Sequence, residues 1–336
     1  MHLDKRLPET LVDLHIHVGG AVAPHVLFSI AHEQGFKLPV KTYWDFVELV
    51  TAKSDKVKSL DDYLKIMHQW TERIQSSPLA VERSVYEIIC KEYRSSRVEH
   101  IELRFNPMKR NLSGERDLDH IIHAAIRGMD RAVLEYGVKA CLLFCLAREF
   151  DYEKNEIILD KAIKYAHRGV LGIDLAGPES HNLELSLKDV PRYEKLFQKA
   201  RDAGLKTTLH TGETAHTGAA GVIAALKYLK PNRIGHGIQA AYSDEALKML
   251  ADSGVVLEIC PTSNLYTRAV ENLAELKSIL DKFKFWKIPF TINTDGPYLL
   301  DTDMAKESLL LLDNAVLTPE ELATCFEVSK KASFIQ

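Results

Sequence analysis

Short apolar runs alternate along most of the chain with longer stretches whose apolar residues recur at helical spacing. The runs at residues 11–17, 98–105, 139–146, 170–175, 206–210, 233–236, 255–259 and 289–294 predict eight strands. The stretches at 24–35, 80–95, 118–136, 155–168, 190–203, 221–229, 243–253 and 272–283 predict the helices between them. The first of these begins with Pro24 and ends on Gly35, residues that favour a helix start and a helix stop. Strands this short and apolar suit a parallel sheet buried on both faces, and parallel neighbours require right-handed helical crossovers. Repeated strand-helix units over a chain of this length predict a (β/α)8 TIM barrel more naturally than an open sheet.

One segment breaks the alternation. Residues 38–76 form a helical insert after the first strand, with aromatic residues at Tyr43, Trp44, Phe46, Tyr63 and Trp70 and lysines at Lys53, Lys56 and Lys58. An insert here lies on the side of the barrel to which the first strand points, so it fits a lid over a pocket. Aromatics that merely pack the insert onto the body give the same pattern. No repeat, low-complexity tract or linker divides residues 1–336, which are expected to form one domain.

The chain of 336 residues is 46% hydrophobic, enough to bury a large core. A net charge of −4 and a pI near 6.4 give no bulk attraction to nucleic acid or to a membrane surface. The longest apolar run, Cys141 to Ala147, is far shorter than the roughly 20 residues of a membrane span. Five scattered cysteines without a Cys-x-x-Cys pair argue against a disulfide framework and a thiolate metal site. The N-terminus carries charge and proline where an export signal would be apolar, so a cytoplasmic location is expected.

Candidate chemistry gathers at the strand ends. His15 and His17 alternate along one strand and therefore point the same way, a weak metal signal alone, because paired histidines on a strand face are commonly ordinary core or surface groups. Gly19 and Gly20 then turn the chain out of the strand at its carboxyl end, where barrels place their chemistry. Arg104, Asn106, Asp174, Gly177, His210, Glu213, His236, Glu258 and Asp295 fall at or near other strand ends. A barrel would bring all of them to one mouth, and three imidazoles with a carboxylate make a plausible zinc set.

The sequence resembles the adenosine deaminase family of the amidohydrolase superfamily over essentially its whole length. The resemblance rests on LHIHVGGA, GIDLAGPE, LHTGE, RIGHGI, EICPTSN and NTDGP, beginning at Leu14, Gly172, Leu209, Arg233, Glu258 and Asn293 and standing in the family's order. It implies one zinc per chain held by His15, His17, His210 and Asp295. Glu213 would protonate a ring nitrogen, His236 would orient the nucleophile, and Asp295 would receive a proton from water. Gly177 would offer a backbone contact to a purine. Glu258 and Asp174 are expected to brace the ligands rather than react.

Two positions depart from the family pattern. Gly19 stands where the family carries an acidic residue for the ribose 5′-hydroxyl, and Gly296 stands where a second aspartate reaches the purine N7 side. Loss of the first removes repulsion toward an anion and is expected to open space. With Arg104, Lys109, Arg110, Arg148 and Arg268 near the strand ends, this favours a 5′-substituted or 5′-phosphorylated adenine nucleoside. The expected partner is a small aminopurine nucleoside or nucleotide, with no nucleic acid polymer and no membrane. A metallohydrolase acting on another amino-heterocycle and a catalytically inactive binding protein are the competing readings.

Overall fold

The computed structural model describes residues 4–53, 56–112, 114–180 and 190–335. Eight strands run in chain order around the structure: β1 Leu11–His17, β2 Val98–Phe105, β3 Lys139–Ala147, β4 Val170–Ala176, β5 Lys206–Thr211, β6 Arg233–His236, β7 Val256–Ile259 and β8 Phe290–Ile292. Every neighbouring pair is parallel. The ends meet just beyond β8, where Ile16 bridges Asp295. There the Asp295 amide donates to the His15 carbonyl at 2.8 Å and the His17 amide to the Asp295 carbonyl at 2.7 Å. The expected (β/α)8 TIM barrel is what the chain adopts, and its seam lies among residues singled out for their chemistry.

The flanking helices start where the sequence supplies caps. The Ser77 hydroxyl accepts from the Ala80 amide ahead of helix Pro78–Ser96, with Pro78 in the first turn, and Asn272 caps Leu273–Phe285 in the same manner. Short helix Pro261–Tyr266 follows β7 directly. Helices Met304–Asp313 and Pro319–Ala332 complete the chain. The apolar pattern had left these three unassigned.

The barrel interior is less uniformly apolar than its strands promised. Arg104 lies 2.9 Å from Glu258 and 3.3 Å from Asp174, and Arg233 lies 2.6 Å from Glu258 and 2.5 Å from Glu102, all fully or almost fully buried. Thr208 donates to Glu258 as well, and the Phe334 amide donates to Glu102 beneath. Most apolar strand positions face the surrounding helices instead, in one large core, while Cys141 and Leu143 form a small cluster with Phe334.

Insert helix Tyr43–Val50 places Phe46 in that core, with Tyr43 and Phe46 both against Phe28, while Trp44 stays exposed. Helix Leu60–Ile66 runs on through a wide turn to Ile74. Its Tyr63, Leu64 and Met67 form a separate apolar cluster with Ala52, Val57, Leu299 and Leu300. The insert therefore sits across the mouth at the carboxyl ends of β1 and β8.

The buried charge pairs set a stability test. Glu258→Ala leaves Arg104 and Arg233 short of a carboxylate inside the barrel, and breaking such pairs costs about 3–5 kcal/mol. Urea unfolding should show that loss at unchanged slope. A change below about 1 kcal/mol would mean that the arginines do not depend on this carboxylate.

Candidate active site

Strand β1 places His15 completely inside the barrel and His17 at its rim. His210 ends β5 and Asp295 follows β8, so donors from three parts of the ring converge. The Nε2 atoms of His17 and His210 are 3.0 Å apart, and Asp295 Oδ1 lies 3.7 Å from His17 Nε2 and 3.9 Å from His15 Nε2. His15 Nε2 is buried without a hydrogen-bond partner among the described residues. Tetrahedral bonds of about 2.0–2.1 Å to an ion would separate donors by about 3.3 Å, so these four groups fit a metal ion.

Their outer atoms are already committed. His15 Nδ1 donates to Glu258 at 2.7 Å and His210 Nδ1 to Asp174 at 3.1 Å, which fixes each ring so that its Nε2 lone pair faces the common point. Ser263 donates to Asp295 Oδ2 at 2.6 Å. Burial, with Arg104 beside it, holds His15 well below its ordinary pKa, and burial with His210 does the same to His17. Both are neutral imidazoles, the ligating form. Burial raises Glu258, but Arg104 and Arg233 outweigh it and bring the carboxyl down to about 2.

A second group faces the same space. Glu213 is buried, 3.6 Å from His236 Nε2, and its Oε1 has no hydrogen-bond partner among the described residues. Burial, then the nearby carboxylates Glu179 and Asp295, push Glu213 well above the usual carboxylate range. The Asn264 amide donates to His236 Nδ1 at 2.9 Å, which leaves the ring proton on Nε2, toward Glu213. Burial lowers His236 to about 3, so it is neutral. Glu179 accepts from the amides of Glu213 and Thr214 and from the hydroxyls of Thr214 and Thr217, pinning the loop that carries Glu213. His236 and Asp295 adopt left-handed backbone at φ 61° and 64°, uncommon for residues with a Cβ and costing on the order of 1–3 kcal/mol each.

A cavity opens over these groups, lined by His17, Gly19, Gly177, His210, Glu213, His236 and Asp295 from the barrel and by Tyr63, Leu64 and Met67 from the insert. His15 lies behind the lining and Gly296 beneath Tyr63. Gly177 adopts φ 110°, and a Cβ there would overlap the Glu149 carboxylate. Asn264, Ser263 and Glu179 stand inside motifs quoted above without having been given roles. Tyr63 and Met67 carried only a helical apolar signal.

Two expectations need correction. Gly19 does not open space: a Cβ there would lie 2.8 Å from Met67 Sδ and 3.1 Å from Glu72 Cγ, because the insert leans into the room it leaves. Nor do the five cations gather as one anion site, and Arg104 takes the buried ion pair that its strand position also allowed. Arg104 belongs to the barrel interior, and Arg148 donates to the carbonyls of Gly177 and His210. Arg268 is exposed beside a different cleft. Lys109 and Arg110 do line the cavity, but they pair with Glu149 at 2.6 Å and Glu72 at 3.0 Å.

A model of the adenosine deaminase family matches residues 10–336. The chain belongs to the adenosine deaminase family. It is a hydrolytic deaminase. Among family relatives, the adenosine deaminase of Vibrio vulnificus (strain CMCP6) is 29% identical over 331 residues, covering 96% of this chain and 93% of its own. Adenine deaminase from Arthrobacter aurescens superposes with a TM-score of 0.85 at 22% identity, over 97% of this chain and 94% of its own, a likeness of fold. The Arabidopsis protein ADAL, complexed with IMP, superposes with a TM-score of 0.80 at 25% identity, over 97% and 92%.

The contact at Gly19 can be tested without any ligand. Gly19→Asp should cost about 1–3 kcal/mol through overpacking against Met67 and Glu72. Adding Met67→Ala should recover part of that loss, giving a coupling of at least about 0.5 kcal/mol in a double-mutant unfolding cycle. Strict additivity would show that Met67 does not fill this space.

Proposed function

We propose that this chain is a zinc-dependent deaminase that converts the 6-amino group of an adenine nucleoside to the 6-oxo group, releasing ammonia, and that it accepts a 5′ substituent or 5′-phosphate. The observation that carries the reading is Glu213: a carboxyl held protonated by burial and neighbouring carboxylates, with an unpartnered oxygen, beside a cluster of metal-ligating side chains. Such an acid suits removal of an amino group from an aromatic ring, because addition at the amino-bearing carbon loads charge onto the adjacent ring nitrogen.

His15, His17, His210 and Asp295 would hold one ion, and three imidazoles with a carboxylate suit zinc. Bound zinc supplies a nucleophile at neutral pH by lowering the pKa of coordinated water to about 7. Glu213 gives its proton to the ring nitrogen next to the reacting carbon. His236, with its proton on Nε2, donates toward the oxygen that adds, and Asp295 takes up a proton from the attacking water. That proton then passes to the amino group, which leaves as ammonia as its bond to the ring carbon breaks, while the added hydroxyl returns a proton to Glu213 and becomes the 6-oxo group. Gly177, lacking a side chain, lets the purine approach the cavity wall, while Tyr63, Leu64 and Met67 exclude bulk water. The likeness to the ADAL complex with IMP supports recognition of a 5′-phosphate, for which Lys109 and Arg110, on the same cavity wall, would exchange their carboxylate partners Glu149 and Glu72.

Purified protein should be assayed with adenosine, deoxyadenosine and their 5′-monophosphates by loss of aminopurine absorbance. Turnover is expected, with the larger kcat/KM on the phosphorylated member of each pair. No turnover on any of the four would overturn the purine reading. His17→Ala should lose both metal and activity, and a full metal complement by elemental analysis in that variant would sink the ligand assignment.

Glu213→Gln should keep metal and fold yet lose about 10²–10⁴-fold in kcat. Its pH dependence follows from the raised pKa. The acid form is the working one, so wild-type kcat/KM should fall as pH rises through the folded-state value. The same shift acts on stability: the folded protein holds this proton more tightly than the unfolded chain does. That contribution is complete below the unfolded pKa and lost as pH rises through the folded one. Thermal unfolding should therefore show a smaller alkaline decline in Tm for Glu213→Gln than for wild type; identical declines would contradict the assigned protonation.

A further inference from the structure

Tyr63 lines the cavity, and its hydroxyl is a buried polar group with no hydrogen-bond partner among the described residues. Leaving such a group unpaired costs about 1–3 kcal/mol, so a native protein that keeps one inside a ligand cavity has a use for it there. The hydroxyl sits over the two glycines at the barrel seam. A Cβ on Gly20 would lie 3.4 Å from it, and a Cβ on Gly296 would overlap it and reach 3.4 Å from the ring carbon that bears it. Only glycine at 296 leaves room for the phenol, so the insert has brought its own polar atom to the place where a side chain from that position would project.

We propose that the Tyr63 hydroxyl donates a hydrogen bond to N7 of the purine and so selects the ring that enters the site. The inference rests on the adenine-deaminase reading above and adds a specificity-determining residue to it. The barrel fixes the orientation. Glu213 follows β5, while Gly20 and Gly296 follow β1 and β8, and in an eight-stranded ring β5 stands opposite that seam. With the amino-bearing carbon toward the metal ligands and the neighbouring six-ring nitrogen toward Glu213, the imidazole edge of the purine points at the seam. The polar atom on that edge is N7, an acceptor. A phenol is protonated at neutral pH and is a donor, so the two match.

The test compares each purine with its 7-deaza counterpart, in which N7 is replaced by CH: adenosine and AMP against 7-deazaadenosine and its 5′-monophosphate. Wild-type kcat/KM should fall about 10–100-fold on this replacement, the range for one buried hydrogen bond left unmade. Tyr63→Phe keeps the ring and removes the hydroxyl. It should lower kcat/KM for the purine by a similar factor and for the 7-deaza compound by less than about threefold, so that the discrimination collapses. Because the hydroxyl has no protein partner, the variant should unfold at or slightly above the wild-type temperature.

Calorimetric binding of inosine 5′-monophosphate and its 7-deaza analogue should show the same loss of discrimination. Wild type that treats the two rings alike would overturn the proposal. So would Tyr63→Phe that keeps the wild-type ratio, or one that loses equally on both rings together with Tm, which is the mark of a structural role. If wild type neither binds nor deaminates any purine, the adenine-deaminase reading falls and this inference falls with it. Retention of the ratio by an active variant removes this inference alone.

Discussion

Glu258 is the group on which the site depends, because it belongs to the barrel interior and to the histidine cluster at once. One carboxylate meets Arg104, Arg233, Thr208 and the Nδ1 proton of His15. An isolated carboxylate at this depth would take up a proton and cease to orient the imidazole. Two arginines keep it ionised, and an ionised acceptor on Nδ1 fixes the tautomer that leaves Nε2 free. Asp174 repeats the arrangement between Arg104 and His210. Buried ion pairs of this kind add little net stability over an apolar core. Their presence here is explained by what they do to the two imidazoles.

Glu213 shows the opposite outcome for the same side chain. It is as buried as Glu258, yet the charges nearest to it are the carboxylates of Glu179 and Asp295, so it keeps its proton where Glu258 gives one up. Burial opposes ionisation in both, and the sign of the nearest charges decides. One barrel therefore holds an ionised carboxylate that positions and a protonated one that can donate, within a few strands of each other. Glu179 serves twice, holding the loop through four hydrogen bonds and raising the proton affinity of the carboxyl it positions.

The barrel was readable because the apolar period changes cleanly from strand to helix, and strand ends of a barrel share one face whatever the loops do. That is why His15, His210, His236 and Asp295 could be placed together from spacing alone. The polar interior was harder to read. The bracing expected of Asp174 and Glu258 is what they do for His210 and His15, but Glu102 and Arg233 carried no sign of each other, because a single charge in a strand does not name its partner across the barrel. Nor could sequence show what occupies the space at Gly19 and Gly296. A glycine announces a missing side chain, but the atoms that fill its place come from a helix whose approach depends on packing at Ala52, Val57, Leu299 and Leu300.

That packing moves selection away from the strand ends. At positions 19 and 296 this chain has two glycines, and Met67, Glu72 and Tyr63 of the insert lie against them. The same segment covers the cavity. The residues that lie against the two glycines and those that cover the cavity thus ride on one element, joined to the barrel through a small cluster of its own. A ligand that pairs with Tyr63 also strengthens the seat of the helix from which it projects, whereas one that leaves the hydroxyl unpaired gains no such hold. Under the proposed pairing, discrimination acts on how firmly the site is closed as well as on the contact itself, and the imidazoles of His15 and His210, fixed from below by Glu258 and Asp174, need take no part in it.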